Sequence, residues 1–143
     1  MKTPSGRRTS PPHIDVRIES PLWDAQPLAE KTVRKSVVAA AAALSTAGGE
    51  VSIVLTDDSA IRSLNRDWRG IDKPTNVLSF PVSGPAGGED TWLLGDVVIA
   101  FETLEQECAD GNRDFLHHLA HLAVHGFLHL NGYDHETDAQ AEA

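Results

Sequence analysis

The sequence predicts an α+β domain, a small mixed β-sheet covered by helices, in a single unit. Three observations predict it. Short stretches in which apolar and polar residues alternate are interleaved with longer stretches in which apolar residues recur every three or four positions. Glycines and capping residues stand between these stretches. The chain has 143 residues, 41% of them hydrophobic, enough for one sizeable core and too little for a second.

Residues 1–12 hold Pro, Ser, Gly and three bases without an acid, so a disordered tail is expected there, with the domain running over 13–143. Ile14 to Glu19 (IDVRIE) alternates as a half-buried strand does. A helix is predicted from Pro27 to about Thr46, with Leu28, Val33, Val37, Ala41 and Leu44 at helical spacing and Gly48-Gly49 as the stop. Val51, Ile53 and Leu55 mark the next strand. Asp57 and Asp58 can cap a helix whose apolar stripe is Ile61, Leu64 and Trp68, with Arg62, Arg66 and Arg69 on a neighbouring stripe. After the loop GIDKPTN, Val77 to Val82 reads as a strand, SGPAGGED as a connection, and Trp92 to Ala100 as a hairpin partner interrupted at Gly95-Asp96. Glu102 to Asp110 is helical in pattern and ends at Gly111. Asn112 is placed to cap the last long helix, Arg113 to about Leu130, which stops before Gly132.

Composition excludes several classes. The longest apolar run, Val37 to Leu44, is far too short to cross a bilayer, and the first residues lack the apolar centre of a secretory signal, so a soluble cytoplasmic protein without a membrane partner is expected. With Cys108 the only cysteine, an internal disulfide is impossible, and a metal site has to rest on histidines and carboxylates. The net charge of −9 argues at first against a nucleic-acid partner, but the charge is polarised. Residues 1–85 carry eleven bases against nine acids, and residues 86–143 one base, Arg113, against twelve acids. Arg62, Arg66, Arg69 and Lys73 fall in one short stretch opposed only by Asp67 and Asp72. Taken alone, such a run also reads as a solvated helix face.

Six of the seven histidines lie between His117 and His135. His125 and His129 are one helical turn apart and point to the same side, where a small cation can bridge them. His135 follows Asn131-Gly132-Tyr133, and Gly132 can take the left-handed conformation that ends a helix and turns the chain back. Three neutral imidazoles make a tetrahedral site for one Zn²⁺ ion with a position open for chemistry, here at the end of the last long helix. A lone histidine is more often a core or surface residue; the spaced triple with its turn is what points to metal. His121 reads as a residue supporting the ligands, and His117 and His118 as ordinary.

The same spacing is the zinc signature of metzincin proteases, where a glutamate beside the first histidine is the general base. Here that position is Gly126, so hydrolysis of a peptide would need a base from Asp134 or Glu136. Phosphodiester cleavage suffers less from the loss, because a metal and a forked arginine donor can both stabilise charge on phosphoryl oxygens.

Four segments, HGFLHLNGYDH (His125 to His135), RGIDKPTNVLSFP (Arg69 to Pro81), LTDD (Leu55 to Asp58) and LGDVVIA (Leu94 to Ala100), together resemble the YbeY family of bacterial endoribonucleases over roughly residues 14–142. The resemblance implies an α+β fold, a zinc-dependent endoribonuclease acting on single-stranded RNA and not DNA, and a role in 16S ribosomal RNA 3′-end maturation and ribosome quality control, with the ribosome or its proteins as partners. By position it implies His125, His129 and His135 as metal ligands and Arg69 as the catalytic arginine. Arg66, Lys73 and Ser79, in or beside the shared motif, are the expected substrate contacts. Asp96 reads equally as a cleft residue or as a turn between strand segments. The resemblance also implies a further helix after the acidic stretch that follows His135, so an exposed apolar patch is expected where it would pack; the Pro- and Arg-containing leader falls outside the shared pattern. Two routes are open for the reaction, attack on phosphorus by water activated at the metal or by the ribose 2′-hydroxyl. A zinc protease or amidase, and a non-catalytic ribosome-associated factor, are the alternative functions.

Overall fold

The computed structural model describes residues 12–44, 49–85 and 92–132. The expected N-terminal tail falls almost wholly outside them, as do His135 and its neighbours Asp134 and Glu136.

Four strands, β1 (His13–Ile18), β2 (Glu50–Thr56), β3 (Val77–Pro85) and β4 (Trp92–Ala100), form one sheet in the order β1-β2-β4-β3. β1 runs parallel to β2 and β2 parallel to β4, while β3 is antiparallel to β4, so the sheet is mixed and β3 is an edge. Parallel neighbours need long crossovers. These are supplied by helices α1 (Ala29–Ala43), between β1 and β2, and α2 (Asp58–Arg69), between β2 and the β3–β4 hairpin. Helices α3 (Phe101–Gly111) and α4 (Phe115–Leu130) follow the last strand. The expected α+β class with a mixed sheet covered by helices is what forms.

Strand alternation divides the core between two faces. Val51, Ile53 and Leu55 of β2 and Val97 and Ile99 of β4 meet Val33 and Val37 of α1, Leu104 of α3, and Leu119, Ala123 and Phe127 of α4. On the opposite face, Leu78 of β3 and Val98 and Ala100 of β4 pack against Ile61 of α2. A 3₁₀ turn over Pro21–Ala25, not foreseen in the sequence, inserts Trp23; its indole N–H donates to the Thr56 carbonyl at 2.8 Å and its ring lies edge-on to Phe101 and Phe115. Burial of this polar tip is compatible with stability because the hydrogen bond is made.

Several boundaries differ from expectation for local reasons. Asp57 caps α2, as expected, by accepting from the Ala60 amide at 2.9 Å. The α4 cap, however, is Asp114, which accepts from the His117 amide, while Asn112 takes the left-handed conformation (φ 54°) that closes α3. Asn tolerates that conformation better than other non-glycine residues, so one residue type served equally well at either helix end. Strand β4 is not interrupted at Gly95-Asp96. The register to β2 steps from Leu93 to Gly95, so the irregularity is a bulge within a continuous strand.

Gly95 has φ +139°, and a Cβ there would stand 2.3 Å from the Phe80 carbonyl oxygen and 2.9 Å from Leu130 Cδ2. The bulge therefore depends on glycine both for its backbone angle and for the space in which α4 ends. Gly95→Ala is expected to lower the free energy of unfolding by about 3 kcal/mol, measured by equilibrium urea denaturation; an unchanged midpoint would contradict the geometry.

Candidate functional site

The site is built where α4 crosses the edge strand. Leu119, Leu122, Ala123, Gly126, Phe127 and Leu130 form the buried stripe of α4, so the next stripe, carrying His125 and His129, stands half-buried at the margin of the sheet. The two rings come from successive turns with centroids 6.4 Å apart. The helix then ends as the sequence suggested: Gly132 has φ +88°, and its amide donates to the His129 carbonyl at 3.1 Å.

Gly126 sets how deeply the helix seats. A Cβ at this position would lie 2.6 Å from Val97 Cγ1 and 3.2 Å from Ser79 Oγ, and the Ser79 hydroxyl donates to the Gly126 carbonyl at 3.3 Å. The position that holds a glutamate base in the protease motif thus faces the sheet in this fold. Its glycine is a packing requirement, and a carboxylate placed there would be driven into β4.

Arg69 arrives from the other face of the sheet. It is the last residue of α2, which is closed by Gly70 in the left-handed conformation (φ 72°). Asn65, only 2% exposed, accepts the Ile71 amide on its own carbonyl and donates its side-chain amide to the Lys73 carbonyl at 2.8 Å. Arg62 clasps Asp72 at 2.8 Å, a hydrogen-bonded pair that holds the Asp72 carboxyl below its usual range and the Arg62 guanidinium above its own. Folded back in this way, the loop leaves Arg69 at the edge of β3. A cavity of about 330 Å³ is lined by Arg69, Val77, Leu78, Ser79, His125 and His129. Arg62 and Arg66 both face acids, whereas no ion pair to Arg69 occurs among the described residues.

Other expected residues are placed differently. Arg66 pairs with Asp67 at 3.3 Å and, like the exposed Lys73, does not line this cavity. Asp96 lies inside β4 and shares the face of Val98 and Ala100, toward α2, so it is neither a turn residue nor beside the histidine pair. His121 is exposed and stacks on His118 with centroids 6.2 Å apart; both line a second cavity of about 550 Å³ that shares His125 with the first.

His118, expected to be ordinary, is buried and bonds through Nε2 to Glu107 Oε1 at 2.9 Å. The Asn76 side-chain amide bridges both Glu107 oxygens at 3.0 and 3.1 Å. One carboxylate thus ties α3, α4 and the start of β3 together. No sequence spacing announces it, since the partners lie 11 and 31 residues from Glu107.

Two of the three expected zinc ligands are among the described residues, and their imidazole chemistry suits that ion. His125 and His129 line one cavity, and among the described residues no acid lines it. Among the described residues no group of three or more His, Cys, Asp or Glu is placed to hold a metal, and the third expected ligand, His135, lies outside them.

Fold and cleft together define a small α+β protein that gathers imidazoles and a guanidinium at one sheet edge, donors suited to a cation and to an oxyanion. The family model described as Endoribonuclease YbeY matches residues 18–143. The Endoribonuclease YbeY of Bradyrhizobium sp. (strain BTAi1) is 50% identical over 137 residues, covering 92% of this chain and 81% of that protein. That of Rhodopseudomonas palustris (strain BisB18) is also 50% identical, over 141 residues, 95% of this chain and 84% of the relative. The solution structure of TM1509 from Thermotoga maritima aligns with a TM-score of 0.51 at 29% identity, covering 86% of this chain and 75% of that one. The chain belongs to the YbeY endoribonuclease family.

Gly126→Ala is expected to cost about 1–3 kcal/mol of stability through overpacking against Val97, read from urea unfolding. A variant as stable as the parent would show that the helix can lift from the sheet without cost.

Proposed function

We propose that this protein is a zinc-dependent, single-strand-specific endoribonuclease that acts in the cytoplasm on 16S ribosomal RNA 3′ ends and in ribosome quality control, in contact with ribosomal proteins. The observation that carries the reading is the placement of Arg69 and the His125–His129 pair on one cavity, on a chain of this family. Among the described residues no helix is long and apolar enough to cross a membrane.

His125 and His129, with His135, would hold the ion. When bound, zinc supplies Lewis acidity that draws charge from a phosphoryl oxygen and lowers the pKa of water. The residues of the chain do the rest. Arg69 aims its forked N–H donors at the non-bridging phosphoryl oxygens as their charge grows. Ser79 has committed its hydrogen to the Gly126 carbonyl, so its lone pairs are left to accept from a ribose hydroxyl. Arg66 and Lys73, off the cavity wall, raise the positive potential along the approach and speed encounter with RNA.

The test measures bound zinc and cleavage together. Purified protein is expected to carry zinc and to cut single-stranded RNA, and chelation is expected to abolish cutting. For His125→Ala the expectation is loss of both zinc and cleavage, with casein left intact throughout; cleavage undiminished in His125→Ala would remove the metal from the mechanism, and casein cleavage that follows zinc would favour the protease. Arg69→Leu is expected to keep its zinc and lose roughly 10²–10³-fold in kcat. A rate equal to that of the parent protein would place Arg69 outside the chemistry.

A further inference from the structure

The apolar stripe of α2 does not bury as its spacing suggests. Ile61 is fully buried and Asn65 takes the next inward position, but Trp68 is 71% exposed on the final turn. Its ring rests on Phe80 of the edge strand with centroids 5.9 Å apart and planes tilted by 59°. A large aromatic surface is therefore held in place from one side and open on the other. Its neighbour in the chain is Arg69, with Cα atoms about 3.8 Å apart across a trans peptide.

We infer that Trp68 is a platform on which an unpaired RNA base next to the scissile phosphate stacks, so that the strand leaves the Arg69 cleft across the end of α2. This rests on the reading of the cleft as the cleavage site. Every base has an apolar face, and stacking on an exposed indole is favourable whatever the sequence. Bases in a duplex have both faces covered by their neighbours, so such a platform selects single strands. The ring is pre-organised: Phe80 supports it, Gly70 ends its helix, and the Asn65–Lys73 hydrogen bond and the Arg62–Asp72 pair hold the loop behind it.

Charge gives the direction. Residues 62–73 carry four bases and two acids, while residues 101–114 carry five acids and one base. The other way out of the cleft, past His125 into the larger cavity, is lined by Glu107 and Asp110 against Arg113 alone. A phosphate backbone is repelled there and attracted over α2. The surroundings of Trp68 also suit RNA better than an apolar protein surface. The stretch of chain that holds it has one other large exposed apolar residue, Ile71 at 37%, and also carries Arg62, Arg66, Asp67 and Lys73.

The experiment titrates full-length metal-loaded protein with a 2′-O-methylated single-stranded RNA roughly ten nucleotides long, which cannot use its 2′-oxygens, and with the same strand annealed to its complement. Readouts are Kd and the difference in tryptophan fluorescence quenching between the parent protein and Trp68→Phe. In parallel, kcat and KM are measured on the unmodified strand. Trp68→Ala and Trp68→Leu are both expected to raise Kd and KM roughly five- to hundredfold for the single strand, with kcat much less affected. Trp68→Phe is expected to recover most of the affinity, and the parent to lose most of its quenching with the duplex. Parent-like single-strand binding by Trp68→Ala overturns the inference and leaves this surface to a protein partner; recovery by Trp68→Leu overturns stacking in favour of simple apolar contact. The His125→Ala variant separates the two readings. If it no longer cuts but binds and quenches normally, the cleavage reading stands whatever Trp68 does; if it still cuts, that reading fails while the binding data still decide on Trp68.

Discussion

The close seating of α4 on the sheet, with Gly126 against Val97, is the contact on which the cleft depends. A helix normally stands off a sheet by the length of the side chains between them, and here one position has none. That brings the backbone near enough for Ser79 to reach the Gly126 carbonyl. It also fixes the height of His125, the preceding residue, and of His129 one turn later, relative to the edge of β3. A helix raised by a single methyl group would lift both imidazoles away from the strand they share a cavity with.

Edge strand β3 is where the two layers of the molecule can meet. A side chain anchored on one face of a sheet reaches the other only around an edge, since the interior of the sheet is closed by its own hydrogen bonds. Arg69 is anchored on the α2 face and the histidines on the α4 face, yet all line one cavity because β3 has no strand beyond it among the described residues. The Glu107 carboxylate braces the start of the same strand, next to the cavity, by holding Asn76 and His118 together. A half-buried carboxylate that accepts several hydrogen bonds is well satisfied, which makes it a firm strut.

The polarised charge of the chain becomes a spatial asymmetry once folded. The basic end of α2 and the acidic α3–α4 side lie on opposite flanks of the cleft. An otherwise acidic protein of net charge −9 thereby presents a locally basic approach to a polyanion without being basic as a whole.

Periodicity and residue chemistry determined much of this by themselves. Alternation located β1 and β2, short runs bounded by turn residues located β3 and β4, helical spacing put His125 and His129 on one stripe, and the need for a left-handed residue identified Gly132 as the turn. These are local properties, set by backbone geometry within a turn or two. What lies opposite a stripe is a different matter, because it depends on residues far along the chain. Only the tertiary structure decided that Trp68 faces solvent while Asn65 is buried, that Asp96 looks away from the histidines, and that His118 meets Glu107. It also decided that Gly126 makes room for Val97 rather than marking a lost base. A period tells which side chains travel together, and packing alone tells what they meet.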